Sequence, residues 1–366
     1  SLVCAVTAQG TLRTGETARL LQADSGALGV QLTISRPVQR AVEAVAASTM
    51  TSGCILVLDT ATAAVRASVS VPGYDPEHLA DSLQAANSPF LNRALQSYAV
   101  GSVFKPVLAA AALEAGLQPV FECTGAVVVD GQIFRCAGGV PHGQVDLAAA
   151  LEKSCNGYFI RLGQQLGAES LLDAAKAFGF GQSLPLAEGL AAEAGQLPAP
   201  QELAQSGQLA NFSFGQGSLL ATPMQVAALF NTIAADGVYR SPYVLQATLD
   251  ETTGQPVETL SHPRGRRVIS AQNAALLRAM LVQVVQQGTA QDAAGLSGGA
   301  GGKTGTAQTG QFTPEGTERC NLWFAGFWPA EKPRYTIVVL QDGAIHTAYS
   351  GAAIFAQVCN ALEAAG

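Results

Sequence analysis

A serine placed three residues before a lysine, Ser102 and Lys105, is the pair in this sequence best suited to nucleophilic chemistry. The chain has five lysines (105, 153, 176, 303 and 332), and only Lys105 has a serine at that distance. In Gly101-Ser102-Val103-Phe104-Lys105-Pro106 the proline suits the first turn of a helix, and a spacing of three puts both side chains on one face. Ser102 is then the candidate nucleophile and Lys105 its base, with the positive end of the helix favouring charge on the serine oxygen. Ser-x-x-Lys alone is weak: about one or two matches arise by chance in a chain this long, and taken by itself the motif is better explained by a helix cap followed by a solvated lysine.

Two further groups can converge on that pair. In Ser154-Cys155-Asn156 the outer residues are two apart and do not share a helix face. They can act together only if the helix is interrupted, which Gly157 would permit. Ser154 could then relay a proton and Asn156 could hold a substrate amide. Lys303-Thr304-Gly305-Thr306 is more specific, with on the order of 0.01 matches expected per chain of this length. On a strand, Thr304 and Thr306 face one side and Gly305 lets a ligand approach the backbone. Two hydroxyls beside an ammonium form a carboxylate-binding edge.

Two neighbouring patterns fail. Ser297 to Thr304 nearly fits a phosphate-binding loop, but Ser297 replaces the first glycine and no helix is expected after Thr304. Gly295-Leu296-Ser297-Gly298-Gly299 matches a nucleophile elbow but leads into glycine and a strand. The four histidines (78, 142, 262 and 346) form no catalytic or metal-binding pattern and read as surface or structural residues. Seven cysteines (4, 54, 123, 136, 155, 320 and 359) include no CxxC and no Cys/His set with zinc-ligand spacing. Most read as small core residues. Cys155 is expected to point away from the site. Cys123 and Cys136 bracket a hairpin pattern, Val127 to Phe134, turning at Asp130-Gly131. Two core thiols or a disulfide fit equally well there, and a disulfide would imply export.

These groups must be positioned by elements that the pattern also outlines. Gly53 to Asp59 and Ala64 to Val71 read as an antiparallel strand pair. Helices are expected from Pro106 to Ala115, after an Asp146 cap, from Leu171 to Phe178, after the capping box Thr222-Pro223-Met224-Gln225, and from Ser270 to Gln287. Strands return at 302 to 308, 321 to 328 and 335 to 341, before a final helix at about 350 to 363. Strands at both ends with helices between them imply an α/β fold: an antiparallel sheet of about five strands, flanked by helices, with an all-helical subdomain inserted. Residues 1 to 50 differ. Little periodicity precedes the strand Val30 to Ile34, and Ser35 then caps a helix with Pro37 in its first turn. This part reads as a linker or a remnant of another module, and 51 to 366 as the main domain.

Composition narrows the function classes. The 366 residues are 48% hydrophobic and 13% charged, enough to bury a large core. A net charge of -7 leaves no basic stripe for nucleic acid. No uncharged run of about 18 apolar residues and no signal-peptide succession is present.

The set Ser102-x-x-Lys105, Ser154-x-Asn156 and Lys303-Thr304-Gly305 resembles that of penicillin-binding proteins and serine β-lactamases. Tyr98 to Pro106, Phe214-Gly215-Gln216-Gly217, Ala221 to Gln225 and Trp323 to Phe327 most resemble class B penicillin-binding proteins, over about residues 30 to 366. Relative to that family the membrane helix and most of the non-catalytic pedestal are missing, and Ser35 replaces the aspartate usual after Leu-Thr-Ile. The resemblance implies a peptidoglycan D,D-transpeptidase with Ser102, Lys105, Ser154 and Lys303 catalytic and Asn156, Thr304, Gly305 and Thr306 binding substrate. Backbone amides of Ser102 and Thr306 would form an oxyanion hole. It implies no metal or organic cofactor. Peptidoglycan stem peptides and β-lactams would be its ligands, with a membrane glycan polymerase as possible partner of a full-length protein. Its place would be the extracytoplasmic face of a bacterial membrane, held by an N-terminal helix absent from this chain. A β-lactamase, a D,D-carboxypeptidase and a non-catalytic β-lactam sensor share the acylation machinery and remain alternatives.

Overall fold

The computed structural model describes residues 2–3, 19–20, 28–83, 85, 87–262 and 264–365. Of the segment expected as a linker or remnant over 1 to 50, most of residues 1 to 29, including Cys4, lies outside the described residues.

The larger compact unit, residues 33–244 and 263–366, is built on a five-stranded antiparallel sheet whose strands come from distant parts of the sequence. Its strands are β1 (Gly53–Asp59), β2 (Val65–Val71), β3 (Gly301–Phe312), β4 (Glu318–Trp328) and β5 (Tyr335–Ala344), in the order β3-β4-β5-β1-β2. The apolar run Cys54 to Leu58 is fully buried, and seven consecutive residues of β5 are buried. Since neighbouring strand residues face opposite ways, such runs require cover on both faces. Helices supply it. Helix α1 (Arg36–Thr49) packs on β2, while a helix at Pro223–Ala234, with all twelve residues buried, lies on β1, β4 and β5. The terminal helix Gly351–Ala365 packs on β4 and β5. Strand β3 is an edge strand, its outer side unpaired with any strand of the sheet.

Between β2 and β3 runs a mainly helical segment that also carries short strand pairs. Helix α2 (Lys105–Glu114) stops before Gly116, whose φ is +67°. The hairpin Ala126–Val129 with Gln132–Arg135 turns at Asp130 and Gly131, both at positive φ, as its sequence requires. Helix α3 (Leu147–Glu152) is capped by Asp146, which accepts from the Ala149 amide at 2.8 Å. After it come α4 (Asn156–Leu166) and a helix at Ala271–Gln286 capped by Ser270. The strand expected at 30 to 34 is found at Leu28–Leu32, in a separate compact unit with Leu245–Asp250 and Pro256–Thr259.

The capping box at Thr222 forms with both of its bonds, and it does more than end a helix. Gln225 is fully buried; its Oε1 accepts from the Thr222 amide at 2.9 Å. Its Nε2 faces the carbonyls of Gly179, Gln182 and Ala194 at 3.1, 3.1 and 2.8 Å. One amide therefore ties three loop carbonyls to the central helix. Truncating it would leave these groups buried without a partner, so Gln225→Ala is expected to lower the unfolding free energy by about 2 to 4 kcal/mol. Chemical denaturation should show the loss as a lower midpoint at unchanged slope, and an unshifted midpoint would contradict this account.

Candidate active site

Ser102 lies in a single 3-10 turn, Gly101–Phe104, that leads directly into α2 at Lys105. The expected helix thus begins one turn later than the serine. Gly101, Val103, Phe104 and Lys105 are buried and Ser102 is partly exposed, so the turn presents this one side chain. The turn docks against edge strand β3 at two glycines. A Cβ on Gly101 (φ +64°) would lie 2.6 Å from the Thr306 oxygen, and one on Gly305 would lie 3.0 Å from Val103 Cγ1 and 3.1 Å from the Val103 amide nitrogen. Gly305 therefore makes room for the backbone of the serine turn. The Gly101 amide also donates to the Gly215 carbonyl at 2.8 Å, which brings the Phe214 to Gly217 segment to the site.

Lys105 is fully buried and reaches across to the second motif. Its Nζ lies 2.7 Å from the Ser154 carbonyl, 2.8 Å from Asn156 Oδ1 and 3.2 Å from Ser154 Oγ. The helix break that this requires is present, at a different residue from the one expected. Ser154 itself has φ +53°, between α3 and α4, while Gly157 is ordinary helix. A non-glycine residue in that region costs energy, which the bonds around it must offset. Asn156 Nδ2 donates to the Arg135 carbonyl at 2.9 Å, so the motif is anchored to the end of the hairpin.

Lys303 is the second fully buried lysine. Its Nζ donates to the Thr304 carbonyl at 3.0 Å and lies 3.4 Å from Thr304 Oγ1. Thr306 is exposed, and Thr304 Oγ1 also bonds Thr289 Oγ1 at 2.7 Å. Gln216 Nε2 donates to the Thr306 carbonyl at 3.4 Å. Thr289 and Gln216 were not candidates from sequence, although Gln216 stands within a segment that the resemblance singled out.

Burial sets the protonation of the pair. It pushes Lys105 down to about 7 from its ordinary value near 10.5. Lys303 falls well below its ordinary value, first through burial and then through repulsion by Lys105. Two ammonium groups packed together out of water cannot both stay charged. The sequence leads one to expect both burial and the charge of Lys303 to lower Lys105; burial acts on Lys105, whereas the repulsion falls on Lys303. A neutral Lys105 has two N–H bonds and one lone pair. With the two N–H bonds given to the Ser154 carbonyl and Asn156 Oδ1, the lone pair is left for a hydroxyl proton.

Cys123 and Cys136 are not bonded: their sulfurs are 3.7 Å apart and both are free thiols. A disulfide needs about 2.05 Å. The hairpin does bring them together, but with Cys155 and His142, whose ligand atoms lie with theirs within 4.8 Å of one another. Cys155 is fully buried, and its sulfur lies in this cluster, 3.8 Å from that of Cys136. Spacing did not reveal the group, since twelve, five and twelve residues separate its members.

A family model described as the penicillin binding protein transpeptidase domain matches residues 53–362. The chain is similar to peptidoglycan D,D-transpeptidase PbpA of Mycolicibacterium smegmatis, with 33% identity over 364 residues, 92% of this chain and 72% of that protein. Among solved structures it is similar to the D,D-transpeptidase domain of a peptidoglycan glycosyltransferase from Eggerthella lenta, with a TM-score of 0.83 and 27% identity over 93% of this chain and 84% of that one. It is also similar to penicillin-binding protein A from M. tuberculosis in its ceftriaxone acyl-enzyme complex, with a TM-score of 0.82 and 28% identity over 93% and 80%.

A base that acts as a neutral amine gives a definite pH profile. Acylation of the protein by a fluorescent penicillin should rise with pH through about 7 as Lys105 loses its proton, level off above, and fall as pH drops. Lys105→Met should remain folded and react about a hundredfold more slowly or worse. A flat profile between about pH 6 and 8 would assign the base elsewhere.

Proposed function

The chain belongs to the class B penicillin-binding protein transpeptidases, and we infer that it is a peptidoglycan D,D-transpeptidase whose acyl-enzyme forms on Ser102. The observation that carries this reading is the buried Lys105 amine, placed between the serine turn and the Ser154 to Asn156 break.

The donor stem peptide would lie along edge strand β3, whose outer side can add an extended chain. Thr304 and Thr306 would bind its terminal carboxylate, with Lys303 behind them, and Asn156 would hold a backbone amide. Ser102 Oγ attacks the carbonyl of the penultimate D-alanine as its proton passes to the lone pair of Lys105. The tetrahedral oxygen is stabilised by the amides of Ser102 and Thr306. The proton then moves through Ser154 Oγ, 3.2 Å from Lys105 Nζ, to the nitrogen of the departing D-alanine. The C–N bond breaks, leaving an ester on Ser102. An amine from a second stem repeats the steps in reverse and forms the cross-link. A β-lactam enters as a donor whose leaving group stays tethered, so the ester persists.

Residues 51 to 366 would be the catalytic domain, with the preceding residues a linker or remnant of a pedestal. Among the described residues no helix is long and apolar enough to cross a membrane. The family's role in wall synthesis supports action on the outer side of a bacterial membrane, held there by a helix outside this sequence and working with a glycan polymerase.

The competing readings differ in what resolves the ester. With a stem peptide ending in D-Ala-D-Ala and an added D-amino acid, purified protein should release D-alanine and incorporate the acceptor, and both activities should vanish in Ser102→Ala. Release without incorporation indicates a carboxypeptidase, and rapid nitrocefin turnover a β-lactamase. Acylation with neither would leave a sensor. Mass spectrometry should find the penicillin adduct on Ser102 alone.

A further inference from the structure

Three cysteines and a histidine from four separate segments meet directly beneath the Ser154 to Asn156 motif. Cys123 ends the strand Phe121–Cys123, Cys136 follows the hairpin strand Gln132–Arg135, His142 precedes the strand Gly143–Val145, and Cys155 is the N-cap of α4. The sulfurs of Cys123 and Cys136 are 3.7 Å apart and those of Cys136 and Cys155 are 3.8 Å apart; His142 Nδ1 is 3.4 Å from the Cys123 sulfur. A tetrahedral zinc ion with Zn–S near 2.3 Å and Zn–N near 2.0–2.1 Å has edges of about 3.8 Å between sulfurs and about 3.5 Å between sulfur and nitrogen. Three of the six edges, at 3.7, 3.8 and 3.4 Å, lie close to these values, and all four ligand atoms are within 4.8 Å of one another. All three cysteines are buried, while His142 is partly exposed, which leaves a path of entry.

We propose that Cys123, Cys136, His142 and Cys155 bind one Zn2+ ion in a closed, structural Cys3His site that fixes the Ser154 to Asn156 motif. Three thiolates and an imidazole suit zinc, and four protein ligands leave no position for substrate or water. Binding converts three thiols to thiolates and releases their three protons, with no change in oxidation state. Backbone amides also face the sulfurs: that of Tyr158 donates to the Cys155 sulfur at 3.4 Å, and those of Asn156 and Gly157 point at that of Cys136.

The position explains what such an ion would do. Ser154 holds a strained φ of +53°, and its neighbour Cys155 is a ligand. Asn156 bonds the Arg135 carbonyl, next to ligand Cys136. The ion would therefore clamp both sides of the break that presents Ser154 and Asn156 to Lys105, making the four ligands positioning residues. It would also keep closely spaced thiols from oxidising in an exported domain.

Elemental analysis of protein purified without added chelator tests this. The expected content is about one zinc per chain, and cobalt substitution should give the intense visible bands of tetrahedral cobalt with thiolate charge transfer. Cys136→Ser should reduce bound zinc about tenfold or more, lower Tm and slow penicillin acylation, while His142→Cys should keep the metal with a shifted cobalt spectrum. Should Cys136→Ser not fold, the zinc content and cobalt spectrum of the unaltered protein decide. Metal-free protein with all three thiols alkylatable in the native state would overturn the proposal. So would a Cys123–Cys136 disulfide in exported protein, or zinc content unchanged in Cys136→Ser. Each of these results is independent of whether the acyl-enzyme reacts with water or an amine.

Discussion

The burial of one amine, that of Lys105, is the constraint around which the site is arranged. An ammonium out of water is costly unless it is bonded or loses its proton, and here both apply. Its Nζ is held by the Ser154 carbonyl and Asn156 Oδ1, and burial brings it to about 7, where it can accept a proton near neutrality. Meeting that requirement dictates much else. α2 must begin right after the serine, α3 must end where a carbonyl can turn toward the amine, and Lys303 must lie close enough for the two charges to compete.

Close packing of backbone on backbone holds the serine in register with the strand that would bind its substrate. The turn at Gly101 and the edge of β3 at Gly305 approach too closely for any side chain, so Ser102 is fixed against Thr304 and Thr306 by contact rather than by long side chains. Such contacts leave little freedom, and catalysis by positioning depends on that. The strand is itself held by the register of β3 on β4, Lys303 opposite Ala325 and Gly305 opposite Trp323, and Trp323 Nε1 donates to the Ala99 carbonyl just before the turn.

The Ser154 to Asn156 break is the least regular part of the site and the most heavily braced. A residue at positive φ, two motif side chains and a helix cap fall within three positions. The Cys3His cluster includes Cys155, the middle residue of this break. A lone strained loop would sample other conformations, whereas one tied to the hairpin through Asn156 and Cys155 has few.

Local rules made much of this legible in the sequence. The buried apolar run at β1, the Asp130-Gly131 turn and the Thr222 capping box follow from period, turn chemistry and capping, which act over a few residues. The motifs at 102, 154 and 303 were readable because rare residues stand at fixed short spacing. What required the tertiary structure involves residues far apart in the chain. Gly305 serves the turn at Val103, the helix break falls at Ser154 and not at Gly157, and the repulsion between the two buried lysines falls on Lys303. Cys123, Cys136, His142 and Cys155 show the limit most clearly. Nothing in their spacing marks them as partners, because they meet only once a hairpin, a loop and a helix cap have folded onto one another, and distance in space, unlike distance in sequence, is set by packing.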